Sequence, residues 1–334
     1  MWASMQHITY RHWLPTIIGP SGMAKLGPYQ GYQADLDPSV SNVFATAAMR
    51  FGHTLINPVL RRLNDNFTSI PEGDLSLHKA FFSPWRLVEE GGLDPLLRGL
   101  FSIPAKYSNQ GLAEDLTERL FEVAHTVALD LGALNIQRGR DHGLPGYTAW
   151  LQWCGLATSS PSWTSLRQWI PDQESIRKLR QLYGHPDNID VWVGSILEAR
   201  VDGGRVGPTT QCLLVDQFRR LRDGDRFWYE NPGVFSQSQL DQIKLVSLAR
   251  IICDNGDNIK KVAKDVFINQ DPTAFISCER INKVSLNPWT GIYPISVMSS
   301  SGPGSVQIDH SATQVQNWSY RVLCLTCFVF LCLA

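Results

Sequence analysis

The apolar residues of this chain recur at intervals of three and four, and alternating apolar and polar stretches are scarce. Spacings of three and four place apolar side chains on one face of a helix, whereas alternation is typical of strands. The clearest run predicts a helix from about 113 to 134 that stops in the loop-like segment QRGRDHGLPGY, residues 137–147. The sequence therefore predicts a mainly α-helical globular protein with long, ordered loops.

Start and stop signals predict further helices. One is expected over 37–64, where an Asp precedes a Pro at the first helical position. A second is expected over 209–222, after the turn GGRVGP and before an Asp-Gly pair. A third should begin near Ser236, which forms an S-x-x-Q capping box with Gln239.

Composition excludes several classes of protein. The 334 residues are 43% hydrophobic and 18% charged, which suits a large buried core and excludes a disordered chain. The 30 basic and 31 acidic side chains leave a net charge of -1, so we expect no nucleic-acid partner and no attraction to an anionic membrane surface.

The composition changes near the C-terminus. We predict a folded body over 1–290, a Ser- and Gly-rich linker and polar spacer over 291–321, and an apolar tail over 322–334. The tail is shorter than the roughly 20 residues of a transmembrane helix. Small residues, a polar spacer and an apolar end fit a glycolipid-anchor signal, with a short tail anchor or an unusual splice or gene-model end as the alternatives.

The cysteines and the glycosylation sequons indicate the cellular compartment of the protein. Three of the seven cysteines lie in the tail, and the four in the body are Cys154, Cys212, Cys253 and Cys278. No two of the four cysteines in the folded body form a CxxC motif, so a zinc site is disfavoured. Two disulfides in a secretory protein are plausible. Glycosylation sequons at Asn66 and Asn317 agree with that route. Residues 1–15 do not form a signal peptide, so we expect an upstream segment to be missing.

One group of side chains suits metal chemistry. Arg50 and His53 lie three residues apart, so they should project from one helix face. An imidazole beside a positive charge suits an iron porphyrin with anionic propionates, although a lone helical histidine is more often a core or surface residue.

Asn135 continues the apolar stripe four residues after Leu131, so its amide should be buried and needs a partner. If that partner is the Nδ1 proton of His53, the other ring nitrogen is free to bind metal. The alternative is that Asn135 caps the helix end.

Other polar clusters favour structural roles. Arg138 could face an anionic group, whereas Arg140, Asp141 and His142 are expected to anchor a loop through ion pairs among themselves. The segment 218–230 mixes both charge signs with aromatics and is expected to form a structural network. No motif supports a nucleophilic serine or cysteine.

Seven stretches resemble the animal haem peroxidases, the group of myeloperoxidase, eosinophil peroxidase, thyroid peroxidase and peroxidasin. They occur in the order of that family and together extend from Ile8 to about Trp289: ITYRHWLPTIIGP, MRFGHTLINP, GGLDPLLRGL, ALNIQRGRDHGLPGY, GGRVGPT, QFRRLRDGDRFWYEN and IICDN.

The resemblance implies a mainly helical fold and a role for each matching residue. His53 matches the proximal ligand to the iron of haem b, and Asn135 matches the asparagine that hydrogen-bonds this ligand and supports catalysis. Arg50 and Arg138 match arginines near the haem propionates. The implied disulfides are Cys154 with Cys212 and Cys253 with Cys278.

The resemblance also implies that several family features precede the ITYR motif. These are the distal histidine, its neighbouring glutamine, the catalytic arginine, the calcium loop and the acidic residues esterified to haem. No residue of this sequence matches them, and His7 and His12 are not substitutes. We therefore expect the N-terminal, distal part of the domain to be missing, with calcium bound only in the full-length family domain.

The implied function is a haem peroxidase that reduces hydrogen peroxide and oxidises a halide, thiocyanate or phenolic donor. Because distal acid-base groups assist O–O cleavage, we expect this chain alone to be a poor peroxidase. The alternative is a truncated, non-catalytic, peroxidase-like protein with an adhesive or scaffolding role. In either case we expect the secretory pathway and an extracellular or cell-surface location.

Overall fold

The structure, a computed structural model, describes residues 1–124 and 127–290. The predicted linker, the apolar tail and Asn317 lie outside these residues. Over the described ranges the chain is mainly helical, as expected, and its four short strands form two antiparallel pairs. No helix in these ranges has the length and apolar character needed to cross a membrane.

The elements have the following bounds. The α-helices are α1 Trp2–Ile8, α2 Leu14–Leu26, α3 Asn42–Thr46, α4 Leu77–Ala80, α5 Arg86–Glu89, α6 Leu93–Ser102, α7 Glu114–Thr117, α8 Leu131–Asp141, α9 Tyr147–Trp153, α10 Gln173–Tyr183, α11 Val191–Leu197, α12 Pro208–Asp223, α13 Gln237–Ile243 and α14 Leu248–Asn255. A π-helical segment, Thr9–Trp13, joins α1 to α2. The 3-10 helices are Ala48–Leu55, Ser165–Gln168, Pro186–Asn188, Pro272–Ala274, Cys278–Arg280 and Asn287–Trp289. The strands are β1 Val59–Leu60, β2 Leu75–Ser76, β3 Lys261–Val262 and β4 Ile276–Ser277, with β1 paired to β2 and β3 to β4.

The core forms where α2 packs against α12. Leu14 and Ile18 of α2 are fully buried in one cluster with Leu214 of α12 and Trp228. Gly19 bends α2 at this contact with a φ of +68°, and a β-carbon there would lie 2.6 Å from the carbonyl oxygen of Asp202. Glycine is therefore required both by the positive φ and by the close approach.

A buried carboxyl and a disulfide fasten α12 to α9. Glu198 accepts hydrogen bonds from the Tyr147 hydroxyl at 2.7 Å, the Thr209 hydroxyl at 2.5 Å and the Thr209 N–H at 2.9 Å. Burial raises the pKa of Glu198 to about 7, against the opposing effect of these hydrogen bonds. The Cys154–Cys212 disulfide joins the end of α9 to α12, and Cys253–Cys278 joins α14 to the 3-10 helix after β4. Both pairs are those that the family resemblance implies.

Two predictions of local structure are confirmed. Helix α12 begins one residue before and ends one residue after the expected range of 209–222. The Ser236 capping box forms in full, and Oε1 of Gln239 accepts a hydrogen bond from the Ser236 N–H. Both predictions relied on signals contained within a few consecutive residues.

The helix predicted over 37–64 is wrong in length. Asp37 closes a turn with Ser39, and Ser41 is the residue that caps α3. The backbone of Ala47 then leaves the helical region, with φ -140° and ψ -63°, and the chain continues as the 3-10 helix Ala48–Leu55.

The helix predicted over 113–134 is also wrong. It divides into α7 and α8, because Phe121 adopts a positive φ of 61° and Leu120 pairs with Leu129 in an antiparallel bridge. Val123 and Val127, which we placed on the apolar stripe, are 58% and 71% exposed. The segment 137–141, expected to be loop, instead forms the second half of α8.

Candidate functional site

The 3-10 helix Ala48–Leu55 presents Arg50 and His53 on one side. A 3-10 helix has about three residues per turn, so side chains three apart are nearly eclipsed. The indole N–H of Trp192 donates to the Arg50 carbonyl at 3.3 Å, which ties this helix to α11. Trp192 was not predicted from the sequence. No sequence pattern indicates this contact, because it joins residues 142 positions apart.

Helix α8 brings Asn135 to His53. The Asp130 side chain caps this helix by accepting from the N–H groups of Gly132 and Ala133. Asn135 lies one turn further on, is 0% exposed, and its Nδ2 is 3.0 Å from Nδ1 of His53. The expected partnership is confirmed, and the alternative that Asn135 caps the helix end is wrong.

Asn135 also forms a hydrogen bond with a second residue. The Arg50 Nη1 donates to Oδ1 of Asn135 at 2.9 Å. A guanidinium only donates, so the amide oxygen of Asn135 is the acceptor in this bond. Which ring nitrogen of His53 carries the proton stays a prediction.

The surroundings keep the His53 ring neutral. Burial and then the charge of Arg50 lower the pKa of His53 to about 4, and the Asn135 hydrogen bond partly opposes them. A neutral imidazole is the form that binds metal ions. The pKa of Arg50 is also lowered, first by burial and then by the charge of Arg138.

Two positive charges belong to the site: the charge of Arg50 acts on His53, and the charge of Arg138 acts on Arg50. Arg138 follows Asn135 on α8 and is exposed, and Arg50 is half-buried. In residues 1–124 and 127–290 neither guanidinium forms an ion pair with a carboxylate. Nor does any group in these ranges hydrogen-bond the Nε2 of His53. Among the described residues, one imidazole nitrogen without a protein partner and two guanidinium groups without carboxylate partners form a donor set that fits an iron porphyrin bearing carboxylates.

The loop-anchoring cluster takes a different form from the one expected. Arg140 makes two hydrogen bonds to Asp190, at 3.0 and 2.7 Å, and His142 pairs with Asn42 at 2.8 Å. Asp141 accepts from Gln137 within α8. These side chains do anchor the region, but each does so through a separate partner and not through ion pairs among themselves.

The segment 218–230 forms the structural network that we predicted. Arg222 pairs with Asp223 at 2.6 Å and donates to the carbonyl of Gly27 at 2.6 Å. Asp225 accepts from Gln6 at 2.8 Å, and Glu230 pairs with Arg11 at 3.0 Å. The network ties this segment to the N-terminal helices.

The expected glycosylation residue lies in an exposed turn. The Asn66 side-chain oxygen accepts from the hydroxyl of Thr68 at 2.7 Å and from its N–H at 3.0 Å. Between them, Phe67 turns inward against Phe275, with ring centroids 5.2 Å apart. The Asn66 amide nitrogen is left at the surface.

Comparisons with known proteins give relatives that match most of this chain. The chain is 57% identical over 290 residues to peroxidasin of Drosophila melanogaster, a match that covers 86% of this chain and 19% of that protein. It is 46% identical over 294 residues to eosinophil peroxidase of Mus musculus, covering 86% of this chain and 41% of that protein. The chain thus spans less than half the length of either relative.

Solved structures agree with the fold. Peroxidase A from Dictyostelium discoideum matches with a TM-score of 0.66 and 30% identity, over 81% of this chain and 49% of that one. A fatty acid alpha-dioxygenase of Arabidopsis thaliana shares the fold at 17% identity, with a TM-score of 0.58 over 76% of this chain and 46% of that one.

The family model for the animal haem peroxidases matches residues 1–267, a range that contains His53, Asn135, Arg50 and Arg138. The match therefore includes the histidine, its amide partner and both arginines. On this evidence the chain belongs to the animal haem peroxidase family.

Proposed function

We propose that this chain provides the proximal half of a haem peroxidase site, with the Nε2 of His53 as the protein ligand to iron. The observation that carries the proposal is the buried amide of Asn135 at 3.0 Å from Nδ1 of a neutral His53, with no protein group on Nε2 among the described residues. Membership of the animal haem peroxidase family supports haem b as the cofactor.

Each residue of the site would have a separate role. His53 would hold the metal, and Asn135 would orient its ring and set its basicity through Nδ1. Arg50 and Arg138 would bind the carboxylates of the porphyrin as charge-assisted hydrogen-bond donors. When bound, haem supplies the iron chemistry by which hydrogen peroxide is reduced and a halide, thiocyanate or phenolic donor is oxidised. These residues bind and orient, and none of them is placed to supply distal acid-base help.

Uptake of ferric haem by the full chain tests the proposal. We expect a Soret absorption shift on addition of haem, and loss of that shift in His53→Gln. The matched control is His142→Gln, because the exposed His142 ring lies just after the end of α8 and bonds Asn42. An unchanged spectrum in His53→Gln would show that His53 is not the ligand.

Peroxide-dependent oxidation of a phenolic donor is the second measurement. We expect slow turnover by the haem-loaded chain, because no residue of it matches the family's distal histidine. A folded chain that takes up no haem at all would favour the non-catalytic adhesive or scaffolding role.

We also propose a secretory route for the chain, ending outside the cell or at its surface. Two disulfides support an oxidising compartment, since cytosolic proteins rarely keep such bonds. The exposed Asn66 turn agrees with glycosylation on that route. The glycolipid anchor predicted for the apolar tail has its own test. Treatment of cell membranes with a phospholipase specific for such anchors should release the protein, and retention on the membrane would contradict the anchor.

A further inference from the structure

A cavity lies beside the helix that carries His53. It has a volume of about 200 Å³, and its lining includes Phe51 and Thr54 of the 3-10 helix Ala48–Leu55. Because a 3-10 helix has about three residues per turn, Phe51 and Thr54 form a row that is offset from the row of Arg50 and His53. The cavity is therefore on a different side of this helix from the candidate haem site.

Two arginines that line this cavity have no carboxylate partner. Arg200 and Arg205 form no ion pair with any residue in 1–124 and 127–290. Their charges act on each other, since burial and then the charge of Arg205 lower the pKa of Arg200. Two neighbouring cations without a counter-ion repel each other, so an anion that reaches both is stabilised by both.

Most donors of these two guanidinium groups are uncommitted. Each guanidinium has five N–H donors. Arg200 donates from Nη2 to the Tyr107 hydroxyl, and its central carbon lies 3.8 Å from the centroid of the Tyr107 ring. Arg205 donates from Nη1 to the carbonyl of Gly204 at 3.3 Å. Neither side chain has another hydrogen-bond partner within the described part of the chain, so the remaining N–H groups are available to a ligand.

Nearby acidic groups leave these charges unneutralised. Glu198 also lines the cavity, but its oxygens accept hydrogen bonds from Tyr147 and Thr209. Burial raises the pKa of Glu198 to about 7, so much of this carboxyl is protonated near neutral pH. Asp202 lies between the two arginines in the sequence and forms an ion pair with neither of them. An incoming anion therefore has no ion pair of Arg200 or Arg205 to displace among the described residues.

The size and the wall of the cavity determine the kind of anion. A volume of about 200 Å³ is below the roughly 300–1,000 Å³ of sites for drug-sized ligands, so the cavity suits a small molecule. Phe51 and Val206 contribute buried apolar side chains to the wall. An inorganic anion would leave this apolar surface uncovered, whereas a planar aromatic body covers it.

We propose that this cavity binds a small aromatic carboxylate, with the carboxylate on Arg200 and Arg205 and the aromatic body against Phe51 and Val206. A guanidinium and a carboxylate match in planar, bidentate hydrogen bonds, which favours a carboxylate over a spherical halide. The site is separate from that of His53, and the proposal does not depend on haem binding.

Benzoate is the probe, and ligand-observed NMR measures its dissociation constant on the full chain. Arg200→Met and Arg205→Met each remove charge-assisted hydrogen bonds, so each should weaken benzoate binding about tenfold or more. Arg205→Lys keeps the charge and should bind benzoate more tightly than Arg205→Met does. The matched control is Arg226→Met, because Arg226 likewise lies over an aromatic ring, that of Phe227 at 4.6 Å, but outside this cavity.

Two further probes test the chemistry of the ligand on the wild-type chain. Benzamide has the shape of benzoate without its charge, and inorganic phosphate has negative charge without the aromatic body. Both should bind about tenfold more weakly than benzoate, or weaker still. Equal affinity for either probe would overturn the assignment of an aromatic carboxylate, and this comparison decides the matter even where a variant fails to fold.

Arg50→Met separates this cavity from the candidate haem site, where Arg50 also lacks a carboxylate partner among the described residues. Benzoate affinity should be unchanged in Arg50→Met. A loss of binding in Arg50→Met with full binding in Arg205→Met would place benzoate at the haem site and overturn the proposal. Equal affinity in all variants, or no benzoate binding to wild type, would overturn it as well. None of these outcomes decides whether His53 binds iron, which haem uptake tests.

Discussion

The side-chain nitrogen of Asn135 lies 3.0 Å from Nδ1 of His53, although the two residues are 82 positions apart in the chain. Asn135 lies on α8, His53 on the 3-10 helix Ala48–Leu55, and Arg50 completes a continuous line of three side chains. The site thus joins side chains from two segments that are far apart in the sequence.

Replacing Asn135 by Leu should weaken haem binding. The ring of His53 would lose its partner at Nδ1, and loss of such a partner weakens metal affinity by about 10- to 100-fold. Titration of the Soret band measures the change. Gln137→Leu, on the exposed face of the same helix, should bind haem like wild type, and equal losses in both variants would contradict a specific role for Asn135.

Glu198 should make the free energy of unfolding depend on pH. Its pKa rises from the ordinary 4.5 to about 7 in the folded chain, so between these values the folded state holds more protons than the unfolded state. The contribution of the protonated Glu198 to the free energy of unfolding is therefore fully present below about pH 4.5. It is lost as the pH rises to about 7, an effect on the order of 3 kcal/mol.

Urea denaturation at several pH values measures this effect, with Glu198→Gln as the variant. The glutamine can keep its oxygen toward the Thr209 N–H and turn its NH2 group toward the Tyr147 and Thr209 hydroxyls, which can also accept. We expect a flatter pH dependence than in wild type. The exposed Glu174→Gln should leave the wild-type slope unchanged, and an identical slope in Glu198→Gln would show that another group titrates.

The Cys154–Cys212 disulfide should stabilise the fold substantially. Its partners are 58 residues apart, and removing a crosslink over such a loop costs about 4 kcal/mol in the chain-entropy account. We expect this loss in Cys154→Ser with Cys212→Ser, measured by urea denaturation. Removing the Cys253–Cys278 disulfide, whose partners are 25 residues apart, should cost somewhat less stability. Unchanged stability in the first double variant would mean that these cysteines are not bonded in the protein.

Asn66 should carry a glycan when the chain is expressed behind an export signal in a eukaryotic cell. In an Asn317→Gln background, which removes the other sequon, we expect a mobility shift that a peptide N-glycosidase removes, and its loss in Thr68→Ala because the remaining sequon is broken. Thr273→Ala is the matched control, since its hydroxyl makes a similar turn with Asp271 outside any sequon. A shift that persists in Thr68→Ala would place the glycan elsewhere.

Some features followed from the sequence because their causes are local. The bounds of α12 depend on a glycine-rich turn with a proline at one end and an Asp-Gly pair at the other, all within the segment itself. The burial of Asn135 also followed from its place four residues after Leu131. Its partner could be proposed because few groups satisfy a buried amide.

Tertiary structure decided the rest. Val123 and Val127 have helical spacing, yet Phe121 turns the chain and the Leu120–Leu129 bridge holds it in an irregular path. Apolar spacing shows where a helix could form, but long-range contacts determine where the chain breaks. The contact between Asn135 and Arg50 joins residues that are 85 positions apart. The sequence by itself determined the helical class and indicated the residues of the candidate site, and only the tertiary structure brought Arg50, His53 and Asn135 together. Both hydrogen bonds of Asn135 join residues more than 80 positions apart, so folding has to bring the partners within reach of each other.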